Sequence, residues 1–493
     1  MTDEPRQGVR FPPDAAGKRS SLAFGQRVMA AALREASDED ARRAEQERDW
    51  RRGYIAHVVA QERLACRDAA AAIAMAAGGL DALQGLMHFS GGGGRETSLG
   101  RAAAAGSAAG LEASELAGKG RAARRAGIPW QGGCLEGDAL VAKLADWENR
   151  GIAEAGATRA VETVLRHPEW LDLGDLSFVL LGAGAELSPA PFLAAHGAHL
   201  IAVDLPGAPS WERLLDLAAT TPCRLTVPGR DGEPGVDLLA DLPALTAWLS
   251  DLPGPMVVAN TAYADGARHL MLAAAADALA QALTEARHDI AFAALGTPTD
   301  AYAVPASIAD EVRGDPARRP ARLTGALASL TGQRVFVPNL REIVTSHDDS
   351  RWAIYDGLVG LQGPNYALAK RIQRWRCLLL ADTDRIASFN VAPAAFTRSV
   401  TDHPAFAAAY AGASLFGAEI FPPDTAAALM AMLLVHDLRT SADRGPPGHC
   451  ADLYAAGAVH GGFWRSPYRP RSVIGLAAAK GLPGVLLRRG PSR

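Results

Sequence analysis

Aromatic residues, cysteines and net charge are all scarce in this sequence, and each shortage removes a class of protein. Aromatics make up 6% of the 493 residues, while 48% are apolar, with alanine abundant, and 21% are charged. That is the balance of a globular chain. The formal net charge is −4, so no broad cationic surface exists for a polyanion and no nucleic-acid partner is expected. The five cysteines (Cys66, Cys134, Cys223, Cys377, Cys450) are odd in number and form no CxxC pair. This excludes a disulfide framework and fits reduced thiols in a cytoplasm. His436, His449, Cys450 and His460 gather near the C-terminus at spacings that match no zinc pattern, so no metal is expected. No unbroken run of about 18 apolar residues is present, which argues against a spanning helix. The start of the chain holds Arg6, Arg10, Lys18 and Arg19 without an apolar segment, unlike a secretory signal. Nucleophile-elbow and Walker motifs are missing, which leaves serine-hydrolase and P-loop chemistry without an anchor.

What is present divides the chain by pattern. Residues 1–24 read as a disordered lead. Residues 25–170 read as a mainly helical N-terminal region, in which the charged run 37–52 is a solvated helix face and the glycines at 91–94 form a loop. Residues 100–127 read as broken helices and loops. The character changes near Leu176. Short apolar runs at 177–181, 199–203, 223–227, 255–260, 289–295, 334–337 and 385–391 alternate with helical stretches at 242–249, 268–286, 323–330 and 424–438. Three prolines, Pro298, Pro305 and Pro316, mark 297–318 as irregular. Such alternation predicts a doubly wound, parallel, Rossmann-like sheet over 171–465. Residues 466–493 form a basic and apolar tail. Gly475, Gly481, Pro483 and Gly484 are expected to interrupt any helix there, and the tail is expected to pack on the body or a second subunit. The other reading of the tail is contact with an anionic membrane surface.

Two constellations carry chemistry. The first is strand, glycine turn, helix, strand, acid: Gly182-Ala183-Gly184 follows the first apolar run, and Asp204 ends the second, 22 residues past Gly182. This is the first half of a dinucleotide-binding unit, and a carboxylate there favours NAD over NADP. The second is Gln362-Gly363-Pro364-Asn365-Tyr366-Ala367-Leu368-Ala369-Lys370. Pro364 suits a helix start, and Tyr366 and Lys370, four apart, share one helix face. A cation beside a phenol lowers its pKa and prepares it for proton transfer. Arg374-Trp375-Arg376, just beyond, reads as a helix end against the sheet.

In order and spacing, residues 177–465 resemble the short-chain dehydrogenase/reductase family. The resemblance rests on the Gly182–Gly184 turn with Asp204, on Val258-Ala259-Asn260-Thr261-Ala262, and on the Tyr366/Lys370 pair. It rests also on Asn390-Val391-Ala392-Pro393-Ala394 through Thr397, and on Pro422-Pro423-Asp424 followed by 457–462 as closing helix and last strand. It implies that Tyr366 is the general acid/base and that Lys370 holds the nicotinamide ribose and lowers the tyrosine pKa. Asn260 would steady the sheet near the adenine, and Pro393 and Thr397 would line the nicotinamide side.

The departures are specific. Glu186 and Ser188 replace two glycines of the turn, and Pro189 and Pro191 enter the helix that follows. Ala394 replaces a glycine. The family's catalytic serine follows the fifth strand, about thirteen residues before the tyrosine, where this chain has Ala353. With 334–337 taken as that strand, Thr345, Ser346 or Ser350 are the candidates. The expectation is therefore an NAD(P)-dependent oxidoreductase acting on the carbonyl or alcohol of a small organic or acyl substrate, as a homodimer or tetramer. The alternatives are a noncatalytic scaffold or nucleotide sensor with a degenerate cofactor loop, and a membrane-associated tailoring enzyme using the basic tail.

Overall fold

The computed structural model describes residues 7–108, 110–123, 125–315, 329–332, 334–441 and 445–488. Three long helices come first: α1 (Ser21–Arg34), α2 (Trp50–Arg67) and α3 (Ala69–Leu86). Then six apolar runs form strands β1 (Ser177–Leu181), β2 (His199–Val203), β3 (Arg224–Arg230), β4 (Met256–Asn260), β5 (Ile290–Gly296) and β6 (Ala387–Val391). They lie in the order β3-β2-β1-β4-β5-β6, with every neighbouring pair parallel. This is the doubly wound Rossmann order, with its reversal between β1 and β4. Phe178 and Leu180 of β1 enter one core, and Val179 and Leu181 enter the other. A strand buried on both faces reads as a continuous apolar run rather than an alternating one.

Helices α4 (Ala267–Ala286) and α5 (Gly363–Asp382) cover one face, and α6 (Pro423–Arg439) covers the other. The N-terminal helices pack on the outer side of α5. In α3, Gly79 is required because a Cβ there would lie 2.7 Å from the Trp375 ring of α5. By length and composition α3 passes as a membrane span, with a mean hydropathy of 1.3, although Asp81 and Gln84 interrupt its apolar run. Its Met75, Ala76, Leu80 and Leu83 are buried in the protein core.

Ionic contacts inside the core hold α5 to its neighbours. Glu62 of α2 is fully buried and accepts from Arg371 at 2.5 Å, from Arg374 at 2.8 and 2.9 Å, from the Ala303 N–H at 2.9 Å and from Tyr454 at 3.1 Å. Arg371 also donates to Asp300 at 2.8 Å, and Arg376 pairs with Asp277 of α4 at 2.7 Å. The Arg374–Arg376 run is thus mid-helix and buried, and the expected helix end lies farther on, at Asp382.

Several expectations are corrected. Residues 1–6 of the expected lead lie outside the described residues, and 7–24 are ordered: Gly8–Arg10 pairs with His88–Ser90, the Val9 N–H donates to Leu239 O at 3.0 Å, and Phe11 is buried. Within 100–127, Glu112–Ala117 is an edge strand antiparallel to β3. The irregular stretch contains a strand, Ala301–Pro305, and a helix, Ala306–Gly314. That strand joins Arg351–Asp356 and Ile343–Thr345 in a small antiparallel sheet. Most of the expected helix at 323–330 lies outside the described residues. Residues 334–337 form no strand, and neither do 457–462, where the Val459 N–H alone reaches Val391 O at 2.9 Å. The tail is a helix, α7 (Pro470–Arg488), despite Gly475, Gly481 and Pro483. Gly481 is used for close approach, since a Cβ there would meet Ala408 O at 2.0 Å.

Candidate active site

Parallel strands in register bring their carboxyl ends to one rim. Leu181, Val203 and Asn260 stand side by side, as do Gly296 and Val391. The residues that follow them, from Gly182 and Asp204 to Thr261, Thr297 and Ala392, border a cavity of about 1000 Å³ at the β1/β4 reversal, where ligands of such sheets bind. The first turns of α5 form the opposite wall. Gly182, Gly184, Asp204, Asn260, Tyr366, Lys370, Pro393 and Thr397 all line this one cavity.

The glycine turn serves the protein's own packing. Gly182 has φ +77°, and a Cβ there would lie 2.7 Å from the Ala262 Cα; at Gly184 it would lie 2.1 Å from the Ser210 Cβ. Asp204 closes this turn. One carboxylate oxygen accepts from the Gly184 N–H and the Ser210 hydroxyl, each at 2.9 Å, and the other accepts from the Leu205 N–H at 2.9 Å. A carboxylate offers about four acceptor positions, so roughly one remains for a ligand. Glu186 reaches across the cavity mouth, where its Oε2 accepts from the Arg398 N–H at 2.7 Å. The helix after the turn, Ala190–Ala195, is short and begins late, as Pro189 dictates.

Tyr366 and Lys370 face the cavity but are otherwise surrounded by protein. Burial pushes the Tyr366 phenol up to about 12, with a hydrogen bond to the Thr297 side chain pulling the other way. The expected lowering by Lys370 therefore does not occur. The ammonium points instead to Leu295 O at 3.0 Å and Gln373 Oε1 at 3.2 Å. Burial lowers Lys370 itself to about 8, against the pull of Asp300.

The serine candidates are elsewhere. Ser346 donates to Arg67 O at 3.3 Å, and Ser350 donates to Asp348 at 2.6 Å while accepting from Trp352 Nε1 at 2.7 Å, both in the turn that joins two strands of the small sheet. Thr345 is in that sheet as well. The misplacement follows from taking 334–337 as the fifth strand. The strand that ends at the rim is β5, and the hydroxyl just past it is Thr297, beside Tyr366. The signal available in the sequence was the Gly296-Thr297 step directly after that apolar run. His269, in the first turn of α4, also lines the cavity, and nothing in its spacing marks it.

No family model and no curated protein matches the chain. Among solved structures it is similar to an A-type ketoreductase from a modular polyketide synthase, with 17% identity and a TM-score of 0.34, over 58% of this chain and 48% of that one. An A1-type ketoreductase overlaps at 16% identity and a TM-score of 0.31, over 54% and 47%. A thiolation-reductase di-domain from an archaeal non-ribosomal peptide synthetase overlaps at 13% and 0.26, over 49% and 59%. The chain thus spans about half the length of the solved structures it matches. Overlaps this small carry no residue correspondence, and the site is read from its own geometry.

Proposed function

We propose that this protein is a nicotinamide-dependent oxidoreductase of the short-chain dehydrogenase/reductase type, acting on the carbonyl or alcohol of a small organic or acyl substrate. The observation that carries this reading is that a protonated phenol, a buried amine and the Gly182 turn share one cavity at the strand reversal.

The donor set fits a dinucleotide: an acid at the end of β2, an amine on α5 and a wide cleft between them. Glu186 is the exception, and because it is exposed and held by one hydrogen bond it can turn aside. Gly182, Gly184, Asp204, Asn260, Lys370, Pro393 and Thr397 would hold the cofactor, with Asp204 favouring NAD. When bound, the nicotinamide supplies or accepts the hydride. Tyr366, protonated at neutral pH, donates its proton to the carbonyl oxygen. Thr297 orients that phenol. Lys370, charged below about 8, stabilises the oxygen as negative charge develops on it.

A pH signature follows. The rate of carbonyl reduction falls as pH rises through about 8, where Lys370 loses its charge, while Tyr366 adds no limb until about 12. A pH profile of kcat/KM checks this, and Lys370→Met removes the limb.

The direct experiment is calorimetry of the full chain with NADH and NADPH. Saturable binding of either, with NADH the tighter, is expected. Binding of neither favours the second reading, a noncatalytic scaffold or sensor. Glu186 is what recommends that reading, because its carboxylate already occupies an N–H at the cavity mouth.

A further inference from the structure

His269 is the residue at this site that the proton-transfer reading leaves without a task. It is 2% exposed, and both of its ring nitrogens are buried without a hydrogen-bond partner. Of the five histidines buried among the described residues it is the only one of which this is true. His449 and His460, by contrast, are bonded through both nitrogens. An unsatisfied buried polar atom destabilises the fold, so a residue that carries two of them calls for a reason.

The surroundings supply one. The His269 ring packs against two phenols, 4.9 Å from the Tyr263 ring and 5.5 Å from the Tyr366 ring, to which it is nearly parallel at 25°. All three residues line the cavity. Burial, and then the nearby Lys370 charge, hold the imidazole well below its ordinary range, at about 3, so it is neutral. A neutral imidazole offers one donor and one acceptor. Its natural partner is a small oxygen function, a hydroxyl above all, rather than an anion.

We propose that His269 binds a second oxygen of the substrate, on a carbon adjacent to the one whose oxygen Tyr366 protonates. The substrate class is then hydroxyketones, vicinal diols and dicarbonyls in preference to simple ketones and alcohols. This rests on the oxidoreductase reading for its reacting carbonyl, but the pairing of His269 with an oxygen-bearing ligand does not need turnover.

The test uses the full chain and two probes matched in shape, 2-hydroxycyclohexanone and cyclohexanone. The variants are His269→Phe, which keeps the ring and removes the nitrogens, and His269→Gln, which restores a donor and an acceptor. Wild type is expected to favour the hydroxyketone by about tenfold or more in kcat/KM, carried by KM. His269→Phe should bring that ratio near one, and His269→Gln should restore part of it. Without ligand, His269→Phe should melt no lower than wild type, since it relieves two unpaired atoms. Should neither cofactor support turnover, the same ratio is read from ligand-induced melting shifts of the cofactor-free protein, which separates failure of this inference from failure of the oxidoreductase reading. An unchanged preference in His269→Phe overturns the proposal. So does weaker NADH or NADPH binding in that variant with the substrate ratio intact, which would assign His269 to the cofactor.

Discussion

Tyr366→Phe is expected to lower turnover by about 10²–10⁴-fold, the usual contribution of a positioned general acid, while Kd for the nicotinamide cofactor changes by less than about twofold. The substitution removes one oxygen. The ring keeps its stacking on His269, and Thr297 keeps a second partner in Thr299, with the two hydroxyls 3.0 Å apart. The loss therefore reports the proton and not a collapse of the wall. Single-turnover rates with calorimetry on the same samples make the measurement. Turnover within threefold of wild type would mean that the proton comes from another group, and the reading of this cavity as a Tyr366-centred site would fall.

The second large effect concerns stability. Glu62→Ala is expected to cost about 3–5 kcal/mol, because removing one partner of a buried ionic cluster leaves the other charges dry and uncompensated. Two guanidinium groups, Arg371 and Arg374, would lose their shared carboxylate. Burial works against a charged Glu62, but Arg374 and Arg371 outweigh it and hold its carboxyl at about 2, against an ordinary 4.5. The unfolded chain therefore takes up this proton first as pH falls. The stability that Glu62 contributes is whole above about 4.5 and is lost on the way down to about 2, about 3 kcal/mol in all. Urea unfolding at pH 7 and pH 3 tests both statements: the gap between wild type and Glu62→Ala should narrow at the lower pH. Arg371 also holds Asp300, the acid that raises the Lys370 pKa. Turnover of the folded Glu62→Ala fraction should therefore fall too, which would tie the N-terminal helices to the site. A loss below 1 kcal/mol would show that water reaches the cluster.

The apolar runs at 177–181, 199–203 and 255–260 became parallel strands because a strand buried on both faces must be apolar throughout, a property local enough to read in the sequence. The same locality made Gly182, Asp204, Tyr366 and Lys370 recognisable, since each sits at a fixed offset from the end of an element. Their shared cleft was expected from the family resemblance, and strand order is what places the first turn of α5 opposite the Gly182 bend. Thr297 was lost when 334–337 was taken for the strand that β5 in fact supplies, and the serines with it went to a separate small sheet. The tertiary structure also reversed the expected electrostatics. Four residues of helix suggest that an amine tunes a phenol, but burial, which no spacing encodes, lifts one to about 12 and drops the other to about 8. His269 was decided wholly by the fold: its chemistry comes from having no partner, and that is settled by everything packed around it.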